Sequence, residues 1–222
     1  GPEFGGMRAM FTMMNNARLS VAAQGVGVAE AALQHALAYA ADRRQGATPR
    51  SKTGAIIDHA DVRRMLALMR AEVFAARSLA LSCAVAIDMA TATGSADWQA
   101  RAAFLTPIAK AHGTDIGCEV SHLGVQIHGG MGFIEETGAA QFSRDARITP
   151  IYEGTNGIQA MDLVGRKMQD HGDAAFRLID EVQRGAEAAR ATLPDLAGDA
   201  WQASEALREA TEAMVALPLN DR

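Results

Sequence analysis

The stretch RDARITPIYEGTNGIQAMDLVGRK, residues Arg144–Lys167, sets how the rest of the chain is read. Pro150 keeps the residue before it out of the α region, so the run Ile148, Thr149, Ile151 stays off helix. Gly154 and Thr155 then open a new helix, with Thr155 as its N-cap and Ile158, Met161, Leu163 and Val164 near one face at helical spacing. Glu153 is left at the helix entrance, between Tyr152 and a glycine that crowds no approaching ligand. Two readings of this carboxylate follow. It is a base for a substrate that reaches the turn, or a charge beside a helix N-terminus, worth about 0.3–1 kcal/mol.

Outward from this turn the pattern is helical throughout. Apolar residues make up 49% of the 222 positions and aromatic ones only 5%, and the helix formers alanine, leucine and methionine dominate. A long helix is expected from Met10 to Asp42, with Leu19, Val21, Ala22, Val26, Val28, Leu33, Leu37 and Ala38 on its apolar face. The small residues Ala22, Ala23, Gly25, Gly27, Ala29, Ala31 and Ala32 allow close approach of a neighbour. A Gly/Pro/Ser/Thr-rich loop spans Arg43 to Ile57. Asp58 reads as the cap of a second helix, His59 to Thr93, whose core face is Val62, Met65, Leu66, Met69, Val73, Leu79, Leu81 and Val85. A third runs from Ala96 to His128 with a bend near Pro107. Shorter helices follow at Ala139–Asp145, Ala174–Leu193 and Ala200–Val215, the last two parted by Pro194 and Gly198. No stretch alternates with strand period. The fold class expected is all-α, an up-and-down bundle of long antiparallel helices.

Composition also excludes classes of function. A net charge of −5 with no basic face argues against nucleic acid. The longest apolar runs, such as Leu79–Ile87, are interrupted and read as too short for a membrane span. Cys83 and Cys118 stand far apart, as small core residues, and suit a reducing cytoplasm. The six histidines form no metal pattern; His112 with Asp115, and His122 with His128, read as ordinary pairs. The opening GPEFGG has no hydrophobic region of a secretory signal. Residues 1–9 read as a cloning scar or the tail of a preceding loop.

Together with QIHGGMGFIEETGAAQFSRDARI upstream, the string IYEGTNGIQ resembles the acyl-CoA dehydrogenase family, and the likeness runs from about Met10 to about Met168. It implies a C-terminal helical bundle domain at residues 10–170. The loop continuing into IIDHADVRRML and the tail after His171 resemble the larger bacterial branch, so residues 171–222 would begin its additional helical region. The family places an N-terminal helical domain and a central β domain before this segment, which makes the chain a fragment expected to be inactive alone.

The resemblance also implies a chemistry. Glu153 matches the base that takes the α-proton of an acyl-CoA thioester, while FAD accepts the β-hydride and a trans double bond forms. The enolate-like oxygen is held by the backbone N–H of that glutamate and a flavin ribitol hydroxyl. Gln126 and Gly130 match residues that contact the FAD of a neighbouring subunit, and Arg43 one that reaches its pyrophosphate; a cation at a helix C-terminus explains Arg43 equally well. Thr155 matches a flavin-bonding threonine as well as a cap. Arg18 and Asn15 match positions near the acyl-CoA, with a surface group as the alternative for each, and Tyr152 would line the same site and exclude water. Two departures stand out: Gly157 replaces a polar residue aimed at the cofactor, and the loop after Arg43 keeps only Gly46 of a Phe-Gly pair. Expected partners are an acyl-CoA, electron-transfer flavoprotein as acceptor, and further copies of the chain as a dimer or tetramer; no metal is implied. The competing readings are an acyl-CoA oxidase and a non-catalytic oligomerisation module.

Overall fold

The computed structural model describes residues 1–49, 51 and 53–218. Among them the helices are α1 (Gly6–Asp42), α2 (Ala60–Thr93), α3 (Ala96–His128), α4 (Gly130–Phe133), α5 (Ala139–Ala146), α6 (Asn156–Asp162), α7 (Asp173–Ala189) and α8 (Pro194–Ala216). No strand occurs among the described residues, only an isolated bridge between Arg44 and Ala55. The all-α bundle expected from composition is the fold observed.

The chain divides into two compact units, one of Gly1–Ala84 with Ala109–Asn156, the other of Val85–Ile108 with everything from Gly157 onward. This division by contacts falls elsewhere than at residue 170. In the first unit, α1 and α2 run antiparallel: Ile56 N–H donates to Arg43 O where α1 ends and just before α2 starts, and Glu30 pairs with Arg77 at 2.6 Å further along both. α1 and α3 run parallel in near-backbone contact: a Cβ at Gly25 would lie 2.3 Å from Gly113 O, and one at Gly117 would lie 3.1 Å from Gly25. Val26, Ala29, Leu33 and Ala36 of α1, Met65, Met69 and Val73 of α2, and Ile116, Val120 and Ile127 of α3 form the core, capped by Phe142 of α5. The second unit is built on the α7–α8 pair, which buries Ala175, Ile179, Ala186, Ala197, Ser204 and Thr211.

Several local expectations are corrected. Asp58 does not cap α2: it ends a 3-10 turn over Ile56–Asp58, and His59 precedes the helix. Pro194 is the first residue of α8 and Gly198 lies inside it, because proline at N1 gives up an N–H with no intrahelical partner. Leu37, Leu81 and Val85, read as core, are exposed. In α6 the expected face is inverted: Ile158 and Met161 are exposed while Gln159 and Asp162 are buried, Asp162 pairing with Arg166 at 2.6 Å. Periodicity cannot tell which face of a short helix turns inward when the buried partners are polar. Residues Leu163–Lys167 then continue α6 as a π turn.

α2 is long and apolar enough to cross a membrane by length and composition, with an 18-residue window of mean hydropathy 1.6, only 22% of it buried. Counting uninterrupted runs missed this, because Arg77 and Asp88 break the apolar run without outweighing the apolar residues around them. A bundle helix that shows apolar surface on more than one face has the same composition.

Candidate active site

The chain leaves α5 at Ala146 and folds into a tight turn. Thr149, buried, donates from Oγ1 to Ala146 O at 2.7 Å and from its N–H to the same carbonyl at 3.0 Å. Ile151 and Tyr152 donate to Ile148 O, and Asn156 N–H returns to Pro150 O at 3.1 Å, closing the loop that carries Glu153. Glu153 has φ 55 and Gly154 φ 86. Glycine adopts that backbone freely, but a left-handed residue with a Cβ costs roughly 1–2 kcal/mol. Such strain persists only where the surroundings over-determine it.

Those surroundings come from α3 and α1. The Asn156 side chain donates from Nδ2 to Asp115 Oδ1 (2.7 Å), Thr114 Oγ1 (3.0 Å) and Ala111 O (3.2 Å). Its Oδ1 accepts from Lys110 Nζ at 3.0 Å. Lys110 is wholly buried. Burial pushes its pKa down to about 8, helped by the Arg18 charge and opposed by Asp115 and Glu153. An unfolded lysine holds its proton more tightly, so the penalty for burying this ammonium is full below about pH 8 and fades as pH rises towards ~10.4. Arg18 is also buried, at 2% exposure, and donates from Nη1 to Asn15 Oδ1 at 3.2 Å. The surface reading of Arg18 is therefore wrong, whereas Asn15 is exposed. Tyr152 OH donates to Gln24 Oε1 of α1. Glu153 is half-buried and Thr155 exposed just ahead of α6.

The expected cofactor residues fall in two places. Arg43 and Gly130 share a groove of about 610 Å³ with Tyr39, His59, His128 and Gly129, roughly 37 Å of helix along α1 from Arg18. Arg43 is exposed, with Nη2 3.4 Å from Gln45 Oε1. Gln126, exposed on the last turn of α3, does not line this groove, and Thr155 belongs with the Glu153 turn. The GGMG run divides its roles. Gly129 follows α3 at φ 61, ψ −138, an extended left-hand conformation rather than the expected αL cap. Gly132 is forced by packing, because a Cβ there would meet Val125 O at 2.3 Å. Gly130 has neither constraint, and the space before it is open. His128 is buried and donates from Nδ1 to Gly124 O at 2.7 Å, while its Nε2 is buried with no partner. Its ring stacks on Tyr39 at 4.1 Å. Burial holds its pKa below the ordinary histidine value, with the Gly124 carbonyl opposing and His35 assisting. No three His, Cys, Asp or Glu side chains gather as metal ligands among the described residues.

The family model for the acyl-CoA dehydrogenase C-terminal domain matches residues 5–169. The chain belongs to the acyl-CoA dehydrogenase family. It is 50% identical over 192 residues to the 3-methylmercaptopropionyl-CoA dehydrogenase of Ruegeria pomeroyi, covering 82% of this chain and 32% of that protein. The solved butyryl-CoA dehydrogenase of Megasphaera elsdenii matches with a TM-score of 0.65 and 32% identity over 76% of this chain and 40% of that one. Caenorhabditis elegans ACDH-11, solved in complex with C11-CoA, matches in fold with a TM-score of 0.72 at 20% identity, over 97% of this chain and 39% of that one. The chain thus spans about a third of the length of the curated relatives it matches.

Within this acyl-CoA dehydrogenase domain, the residues that reading by motif missed are Lys110, Thr114 and Asn156, with Asp115 noted only beside His112. A signal was present: Lys110 is the one cation in FLTPIAKAHGTDIG, and Asn156 follows the motif glutamate by one turn. Gly157 is exposed at the start of α6. Of the cysteines, Cys83 is core, but Cys118 is half-buried, its thiol pushed up chiefly by burial and aimed at Ala146 O.

Proposed function

We propose that the chain is the base-bearing domain of an FAD-dependent acyl-CoA dehydrogenase that introduces a trans α,β double bond into an acyl-CoA thioester. The observation that carries this is Glu153, a carboxylate kept in a strained left-handed turn that Asn156 fastens to the buried ammonium of Lys110, with Arg18 buried on α1. A structural charge at a helix start needs neither the strain nor the buried cations. Glu153 takes the α-proton, and Tyr152, tethered to Gln24, screens the turn from water. FAD, when bound, supplies the acceptor for the hydride.

The residues at the second groove fit a dinucleotide. Arg43 offers an exposed guanidinium, Gly129 and Gly130 a backbone without side chains, and His128 a buried nitrogen without a partner. As its Nδ1 donates to Gly124, the neutral ring presents Nε2 as an acceptor. This groove would take the FAD of a neighbouring subunit. Arg43→Ala in the full-length polypeptide should lower flavin retained after dialysis about tenfold, an outcome read from absorbance without turnover. Unchanged flavin content would remove Arg43 from the cofactor site.

Self-association follows from the surface between α1 and α2. A groove of about 740 Å³ there is lined by Leu33, Leu37, Leu66, Val73 and Phe74, with Phe74 69% exposed. Light scattering at micromolar concentration should give a mass above the 23.4 kDa of one chain, and Phe74→Glu should reduce it. A strict monomer would count against this part of the reading. Electron-transfer flavoprotein is the acceptor proposed, the cytoplasm the compartment. Substrate identity is best tested on the full-length polypeptide with short acyl-CoA thioesters, 3-methylmercaptopropionyl-CoA among them, and an artificial acceptor. Absence of dehydrogenation across that panel, with flavin bound, would overturn the proposal.

A further inference from the structure

α3 presents to the Glu153 turn a row of groups whose hydrogen-bonding capacity is fixed by their chemistry. The Lys110 ammonium can only donate, while the Asp115 carboxylate and the Ala111 carbonyl can only accept. The Asn156 side chain fits this row in one orientation. Its Oδ1 accepts from Lys110 Nζ at 3.0 Å, and its Nδ2 donates to Asp115 Oδ1 at 2.7 Å and Ala111 O at 3.2 Å. Turned over, the amide would set its oxygen against the carboxylate and its NH2 against the ammonium. Thr114, between the two ends, has one hydroxyl proton and gives it to Lys110 O at 2.9 Å. Its oxygen then accepts from Nδ2 at 3.0 Å, which leaves Oδ1 to the ammonium. A helix start asks for less than this, since serine serves it equally well. Serine has a single oxygen where the row needs an acceptor at one end and donors at the other. The backbone N–H of Asn156 meanwhile reaches Pro150 O at 3.1 Å, across Glu153 with its φ of 55.

We propose that Asn156 is the positioning residue for Glu153: its amide, locked in one orientation between the Lys110 ammonium and the Asp115 carboxylate, clamps the strained turn onto α3. Its bearing on catalysis rests on the reading of Glu153 as the base. The clamp itself does not.

Amide hydrogen exchange in the 222-residue chain reads the clamp directly, at the Tyr152 and residue-156 N–H groups that close the turn. Asn156→Asp sets two carboxylates face to face and should lower protection of these amides tenfold or more, because bonds to charged groups are lost. Adding Asp115→Asn returns a donor to the row and should restore protection to within about threefold of the parent. Packing at residue 156 alone gives no reason for that recovery. Unchanged protection in Asn156→Asp, or no recovery in the double variant, overturns the proposal. Should Asn156→Asp not fold, Asp115→Ala alters only an exposed residue. It should lower Tyr152 protection about threefold, and no change there overturns the clamp equally. In the full-length polypeptide, kcat should fall about tenfold in Asn156→Asp with flavin bound and KM little changed, and recover in the double variant. A turn that loosens without loss of kcat overturns the positioning role. Exchange involves no turnover, so failure of the clamp is distinct from failure of the base, which retained turnover in Glu153→Gln would show.

Discussion

Glu153→Gln, made in the full-length polypeptide that carries this domain, should lose α,β-dehydrogenation by about 10²–10⁴-fold or more while binding flavin and melting near the parent. Glutamine keeps the volume and polarity of the side chain but cannot take a proton. The fold does not lean on the carboxylate, because the turn is closed by Asn156 N–H to Pro150 O and held by the Asn156 side chain. Glu153 is if anything a burden there: its φ of 55 is a conformation that glycine would adopt without strain. Glu153→Gly should therefore fold as well as the parent, with a gain of about 1 kcal/mol from relieved strain set against whatever contacts the side chain makes. A Glu153→Gln variant with parent-like turnover would refute the assignment, and one that unfolds would show that the carboxylate is structural.

Gly25→Ala should destabilise the chain by about 3 kcal/mol, the upper end of overpacking, which for a chain of this length lowers Tm by roughly 6–12 °C. The added Cβ would lie 2.3 Å from Gly113 O, 2.8 Å from Gly113 C and 2.9 Å from Thr114 Cα, all backbone, so no side chain can swing aside. α1 and α3 would have to part. Gly27→Ala provides the contrast: nothing lies within 4 Å of a Cβ there, and removing a mid-helix glycine should stabilise by about 0.5–1 kcal/mol. Thermal melts of the pair settle the point, and equal shifts would mean the seam is not tight. The first substitution should also reach the site, since displacing Thr114 disturbs Asn156 and with it the Glu153 turn.

These two positions show how unevenly the chain could be read. Gly25 and Gly27 look alike in the sequence, both within a row of small residues, yet only one faces α3. α3 was legible to the residue, from Ala96 to His128, because Gly94–Ser95 and the glycines after His128 bracket it. α6 was not. Its expected apolar face points outward and its buried face carries Gln159 and Asp162, the latter paired with Arg166 one turn on. The same holds for the GGMG run, where one glycine answers to backbone conformation, one to packing, and Gly130 to neither.

From the sequence alone came the all-α class, the long helices and the Glu153 turn, because helix formers, proline, glycine and caps act within a few residues of themselves. What only the tertiary structure decided is which charges lie under that turn. Arg18, Lys110 and Asn156 are separated by tens of residues in the chain, and each taken singly reads as an ordinary helix-surface or cap residue. They become a site because a glycine seam lets α1 and α3 approach almost to backbone contact and excludes the water that would otherwise screen them.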